Sequence, residues 1–312
     1  MRVGSVRTLA GLAGGLAAFI WASYYVLLLL LPGVPDATVI VVPFAVGGLA
    51  FLAGFPGRTS GSRGTLLRRL LTVRGLLQGG LFLLLQLDVV LATRWAGAVD
   101  ASLVTLLADV VATPLLVFAL FREDTERFRS PSFWLGVVIA AGGSVGAIAG
   151  GRSGGPLSLA GLLALLPLPF LVAVFFVWVN QEGRRTSVGD VLGASALMAA
   201  LLGTVGALAV LGIAWLSVPV SPYDWLVLVV MGLSSFYLAQ WAYFWAAGKT
   251  TILIPAVLQS LIPVFTLLLV AALRFPVPPL AWLGVPLAFA GSAIAVLAPP
   301  SEGAPGEERK RA

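Results

Sequence analysis

Trp134-Leu135-Gly136-Val137 returns 148 residues later as Trp282-Leu283-Gly284-Val285, and the register continues: Ala140, Gly143 and Ser144 are matched by Ala288, Gly291 and Ser292. Seven of the eleven positions in 134–144 agree with 282–292. Upstream, Pro114 corresponds to Pro263 at an offset of 149, so one residue has been gained or lost between the two anchors. A motif that recurs at fixed spacing, in register with a second landmark, reads as an internal duplication. The apolar runs in which both copies sit define the repeated unit.

The 312 residues are 59% hydrophobic and 10% charged, whereas soluble domains are roughly half apolar and about a quarter charged. A water-soluble fold is excluded on that balance. About 20 apolar residues cross a hydrocarbon core of roughly 30 Å as a helix. Ten such runs are read here, at 9–31, 39–55, 75–92, 101–121, 133–150, 157–179, 191–216, 225–247, 252–273 and 280–298. Continuous runs, without the alternation of a β-barrel, need helices to satisfy their own backbone in lipid. The first run is too long for a signal-peptide core and is expected to be retained. The expected fold is therefore an all-α, multi-pass membrane protein of ten transmembrane helices. Its repeats are 1–150 and 151–300, with a polar cytoplasmic tail at 301–312.

Charge sets the orientation. All 19 Lys and Arg fall outside the ten runs. With the N-terminus inside, 16 of them lie on the inner side and only Arg94, Arg152 and Arg274 on the outer side. That asymmetry predicts cytoplasmic N- and C-termini and an even helix count. The net charge of +6 follows from the same bias and from contact with anionic lipid, and no basic domain is present to hold nucleic acid. Five helices per repeat is an odd number, so the two halves must enter the membrane in opposite directions. Inverted repeats of this kind are a hallmark of secondary transporters, in which two similar halves exchange inward-open and outward-open shapes around one central site.

With no cysteine and no histidine in the chain, disulfides, thiolate chemistry, haem ligation and the usual zinc sites fall away, and neither a metal nor a cofactor is expected. The rival class is a membrane-embedded enzyme or flippase acting on lipid-linked substrates. An enzyme of that kind would need paired carboxylates, a metal cluster or a nucleophile with its base, and the sequence offers none. Gly248-Lys249-Thr250 mimics the end of a phosphate-binding loop, but Tyr243 stands where the first glycine is required.

Only two charged side chains fall inside the ten runs, Asp88 and Asp109. An Asp near the bilayer centre costs roughly 2.5 to 3.5 kcal/mol on insertion scales, so each should face a cavity or a partner. Asp109 lies eight residues into its run, about 12 Å at the helical rise and close to the midplane. Ser102, Thr105, Asp109 and Thr113 recur at helical spacing as one polar stripe. Asp109 is expected either to bind a proton or to pair with a cationic substrate group. Asp88 is nearer the outer end, within reach of Arg94. In the ninth run Pro255, Gln259 and Thr266 share a face, and Gln259 stands almost where Asp109 stands in the first repeat. Trp21 with Tyr25, and Ser234 with Tyr237 and Trp241, offer aromatic walls to a bulky or flat substrate, while Gln78 and Gln86 are further polar candidates. Pro114 and Pro263 each deny a backbone hydrogen bond and are candidate kinks or hinges. Gly142, Gly146 and Gly150, Gly11 with Gly15, and Gly75 with Gly79 form small-residue ridges expected to pack closely within a monomer, with a homodimer as the other use of such spacing.

The chain resembles the EamA-type branch of the drug/metabolite transporter superfamily over about residues 9–298. The first half carries the pattern as Ala92-Thr93-Arg94-Trp95-Ala96, Ala101-Ser102-Leu103, Pro114, Arg122-Glu123, Leu135-Gly136 and Gly143. The second carries it as Tyr243-Phe244-Trp245-Ala246-Ala247, Pro263, Leu283-Gly284 and Gly291, with Arg274-Phe275 where the family has an acidic residue. The resemblance implies a ten-helix secondary transporter that exports amino acids, metabolites or drugs. It also implies a cavity between the first, third, fourth, sixth, eighth and ninth helices, the fifth and tenth being peripheral. Two Lys against 17 Arg, with heavy use of Ala, Gly and Leu, point to a GC-rich bacterial genome and thus to a bacterial cytoplasmic membrane. The partners expected are a small-molecule substrate and membrane lipid.

Overall fold

The computed structural model describes residues 3–54, 62–113, 115–116, 119, 130–149, 159–249, 258–277 and 279–297. Among these it is all-helical, with eleven helices and no strand. They are α1 (Val3–Leu29), α2 (Asp36–Ala53), α3 (Ser62–Leu70), α4 (Val73–Trp95), α5 (Ala98–Leu107, prolonged by a π turn Ala108–Ala112), α6 (Pro131–Ala149), α7 (Leu159–Leu165 and Leu168–Arg185), α8 (Val188–Leu211), α9 (Pro222–Met231, a π segment Gly232–Ala239, and Gln240–Lys249), α10 (Ile262–Ala272) and α11 (Ala281–Leu297).

Six of the described helices are long and apolar enough to cross a membrane: α1, α2, α4, α7, α8 and α9. Four more are apolar but shorter, α5, α6, α10 and α11. Only α3 is polar and short; it carries Arg63, Arg68 and Arg69. Leu12, Val138, Leu159, Phe170, Val210 and Leu283 are among many large apolar side chains left exposed. A surface of that kind is tolerated in lipid and not in water, so the chain is a membrane-embedded protein.

Local chemistry explains most boundaries. The chain leaves α1 through Pro32-Gly33 and re-enters helix after Pro35, with Asp36 in the first turn of α2, where a carboxylate meets the positive end of the helix dipole. Thr72 caps α4 by accepting from Gly75 N at 3.0 Å. Ser221 and Asp224 close a reciprocal capping box on α9, with Pro222 in the first turn.

Several expected boundaries are corrected. The seventh run, 191–216, does not stay helical to its end, because Gly212 at φ 66° breaks α8 and Ile213–Ser217 forms a separate tight turn. The sixth run is split at Pro167, which cannot donate the helical bond its position requires. The third run extends to Trp95, so Arg94 sits in the last turn of α4 and not in a loop.

The strongest packing is between α6 and α11. There the glycines decide the distance: a Cβ on Gly143 would lie 2.8 Å from Gly284 O, and one on Gly291 would lie 2.7 Å from Gly136 O. Without a hydrophobic drive inside lipid, helices associate by van der Waals fit, and small residues allow it. The ridge that packs is thus Gly136, Ala140, Gly143 and Ala147. Gly142 and Gly146, expected to do this, meet nothing within 4 Å, as do Gly11 and Gly15; Gly150 lies outside the described residues. Gly79 does pack closely, against Met198 of α8, and Gly75 against the Arg69 carbonyl.

Elsewhere α8 lies against α2 and α4, α2 against the π segment of α9, α1 against α9 and α10, α7 against α4 and α5, and α5 against α10. The middle of the bundle is aromatic. Phe82 stacks on Phe175 with ring centroids 4.2 Å apart, and Phe44 meets Phe82 and Phe236 edge-on at 4.6 and 4.7 Å. Such pairs contribute about 0.5–1.5 kcal/mol each beyond their area.

Candidate functional site

Between these helices lies a cavity with about 620 Å³ of space free of protein atoms, the open solvent at its mouth included. α1 supplies Trp21, Tyr24 and Tyr25, and α4 supplies Phe82, Leu85, Gln86 and Val89. Thr105 comes from α5, Val172 and Phe176 from α7, and Ser235, Phe236 and Gln240 from α9. Gln259 and Ile262 complete the wall at the start of α10.

Three of these helices are irregular beside the cavity. α5 widens into its π turn just past Thr105, α9 is π-helical from Gly232 to Ala239, and the chain at Ser260-Leu261 is a turn, not a helix. Irregular backbone at membrane depth is tolerated where it lines a protein-walled cavity. The Ser235 carbonyl in the π segment accepts from Trp21 Nε1 at 3.2 Å, which fixes the indole against α9.

The polar groups divide into two sets. In the first, partners are supplied from within. Thr105 Oγ donates to the Ala101 carbonyl at 3.0 Å, so the Tyr25 hydroxyl, 2.6 Å away, donates to Thr105. Gln86 Nε2 donates to the Tyr24 hydroxyl. In the second set, Gln259 Oε1 and Nε2 and Gln240 Oε1 have no partner among the described residues, although both side chains are buried. Each such buried amide group forfeits about 1–3 kcal/mol.

Ionic clusters sit beyond the cavity in both directions along α4. Before it, Arg69 of α3 donates to Gln78 at 2.9 Å and to Glu182 of α7 at 2.8 Å, and Arg74 reaches the same carboxylate at 3.3 Å. After it, Arg94 pairs with Asp36 at 2.9 Å and donates to the Leu31 and Val34 carbonyls. No group of three His, Cys, Asp or Glu able to hold a metal exists among the described residues.

Of the residues singled out in the sequence, Trp21, Tyr25, Thr105, Gln86 and Gln259 meet at this cavity. Tyr237 and Trp241 do not. Tyr237 turns away to donate to Gly54 O at 2.8 Å and packs on Phe51, while Trp241 lies beside Trp245. A 3.6-residue period groups Ser234, Tyr237 and Trp241, but that period does not hold through the i→i+5 bonded segment Gly232–Ala239, and the residues on the cavity wall are Ser235, Phe236 and Gln240. The expected α5 stripe does not line the cavity as a whole: Ser102, before the π turn, bonds back to Val99 O, and Thr113, after it, is buried but not on the cavity wall. Asp109 has its backbone in that turn; its side chain, like Pro114 and Pro255, lies outside the described residues. Asp88 does not line the cavity, and the carboxylate seen paired with Arg94 is that of Asp36. Its Oδ2 is buried with no partner among the described residues. Pro263 is no mid-helix hinge but stands in the first turn of α10, where its missing N–H costs nothing. Tyr24, Phe82, Phe176 and Phe236 carried no signal of their own, being aromatic residues in aromatic-rich helices.

No family model matches the chain, and no curated protein does. Fifteen chains of solved structure are similar to it. One crystal structure of a protein, 22% identical, aligns over 94% of this chain and 99% of that one with a TM-score of 0.70. At that identity the likeness is one of fold.

Proposed function

We propose that the protein is a secondary carrier, of the EamA-like type its sequence resembles, that moves a small molecule across a bacterial cytoplasmic membrane by alternating access. In this reading residues 1–150 and 151–300 are inverted five-helix repeats with both termini cytoplasmic, and the aromatic cavity is the substrate site. One observation carries it: the helix contacts exchange under the 148-residue displacement. Gly136 lies against Ala295 and Gly291, and its counterpart Gly284 lies against Ala147 and Gly143. The same exchange turns α4 with α8 into α9 with α2, and α1 with α9 into α7 with α4, all of which are contacts in this fold. A chain whose contacts map onto themselves in this way has two near-equivalent arrangements about a shared centre, which is the requirement for alternating access.

Further support comes from the cavity wall, drawn from α1, α4, α5, α7, α9 and α10, the six helices that the resemblance puts around a substrate. α6 and α11 stay at the periphery. Asp109, at the backbone irregularity of α5, is the proposed proton or cation site.

The test is counterflow in proteoliposomes. Vesicles preloaded with unlabelled solute, screened over amino acids, nucleobases and cationic drugs, should transiently accumulate label above equilibrium for at least one of them. Asp109→Asn should remove the dependence on a proton gradient. Flux that rises with gradient alone, with no trans-acceleration for any solute, belongs to a channel and overturns the proposal.

A further inference from the structure

Two glutamines without a partner for their amide groups among the described residues say what the cavity takes. Gln259 is 3% exposed and Gln240 4%, and both line the same space. Buried polar groups without partners are few in folded proteins, so two on one cavity point to a ligand that supplies the missing donors and acceptors. Gln259 offers a donor and an acceptor side by side, and Gln240 adds an acceptor. The neighbouring hydroxyls of Tyr25 and Thr105 are satisfied by each other and by the Ala101 carbonyl.

The remaining wall is ring surface. Trp21 meets Phe176 edge-on at 5.6 Å, and Tyr24 meets Phe236 likewise at 5.6 Å. No Lys, Arg, Asp or Glu lines the cavity among the described residues, and an unpaired charge brought into such surroundings is strongly disfavoured. Among the described residues a zwitterionic amino acid or an organic cation finds no counter-charge there.

We propose that the cavity binds a neutral, planar heteroaromatic molecule whose edge carries an adjacent hydrogen-bond donor and acceptor, as a nucleobase does. The Gln259 amide pairs with that edge in the bidentate manner by which Gln reads adenine. Gln240 Oε1 accepts from a further N–H, and the aromatic side chains cover the ring faces. The inference deepens the carrier reading, from which the cavity takes its standing as the substrate site.

The experiment measures binding, not transport. The full-length protein in lipid nanodiscs is dialysed to equilibrium against radiolabelled adenine. Saturable binding is expected, competed by unlabelled adenine but not by N6,N6-dimethyladenine, leucine or tetraphenylphosphonium. Competition by adenosine extends the site to nucleosides, and its absence restricts the site to the free base; either supports the proposal. Gln259→Leu should weaken adenine binding by about tenfold or more, because a site built to hydrogen-bond its ligand discriminates sharply. Its thermal midpoint should hold or rise, since the unpaired amide is gone. Gln240→Leu provides the second variant if the first does not fold. No saturable adenine binding, displacement by leucine or tetraphenylphosphonium, or undiminished binding in the glutamine variants overturns the inference. Adenine binding without counterflow supports it and overturns the carrier reading, whereas counterflow of a charged solute without adenine binding does the reverse.

Discussion

Gly143 and Gly284 touch backbone to backbone: a Cβ on Gly143 would stand 2.8 Å from Gly284 O, and one on Gly284 would stand 2.5 Å from Gly143 O. Each glycine meets the other as the other meets it, which is the mark of a self-complementary interface. Gly143→Ala and Gly284→Ala should therefore destabilise to a similar degree, by about 1–3 kcal/mol for overpacking. Gly142→Ala and Gly146→Ala, whose added methyls meet nothing within 4 Å, should be neutral or stabilising, since Ala is the better helix former. Thermal unfolding in detergent, followed by intrinsic fluorescence, checks the contrast; equal losses at all four positions would show that α6 and α11 do not pack this way.

Thr105→Val should remove the hydrogen bond to the Tyr25 hydroxyl at 2.6 Å. A loss of about 0.5–1.5 kcal/mol in stability is expected. In the double-mutant cycle with Tyr25→Phe the two losses should fall short of adding, with a coupling of about 0.5 kcal/mol or more. Strict additivity would mean that the two hydroxyls are not paired.

Glu182 gathers Arg69 at 2.8 Å, Arg74 at 3.3 Å and Arg185 at 4.0 Å, and so ties α3 and α4 to α7. Glu182→Gln leaves the largely buried Arg69 guanidinium without its counter-charge, and breaking a buried pair costs about 3–5 kcal/mol. This end of the bundle should loosen. Since the protein has no cysteine, Ser235→Cys gives a single reporter on the cavity wall. A membrane-impermeant maleimide added on the Arg69 side should label it faster when Glu182→Gln is also present, and unchanged labelling would deny Glu182 a role in closing that side.

The same cysteine-free background tests the threading. Ser130→Cys and Thr186→Cys should react with the impermeant reagent from one side of sealed vesicles, the side on which 16 of the 19 basic residues are expected. Reaction from opposite sides would sink the inverted arrangement, because both positions lie between consecutive spans that the two repeats must place on the cytoplasmic face.

The amino-acid sequence by itself determined that the chain is helical and lives in a membrane, because hydrophobic length and the need to satisfy a backbone in lipid are properties of local segments. The recurrence of WLGV with its following Ala, Gly and Ser was legible too, in linear register. So were Trp21, Tyr25, Thr105 and Gln259 as candidates, each a polar or aromatic residue spaced regularly on an apolar helix. Only the tertiary structure decided which faces meet. The 3.6-residue period does not hold through the α9 π segment, the cavity wall carries Phe236 and Gln240 in place of Tyr237 and Trp241, and periodicity cannot see a register that the packing of α2 against that segment accompanies. It was also tertiary packing that left Gln240 and Gln259 with amide groups unpartnered among the described residues, paired Arg94 with Asp36, and chose Gly136 and Gly143 over Gly142 and Gly146. Whether a side chain finds a partner depends on what a distant helix brings within about 3 Å, and no local pattern encodes that distance.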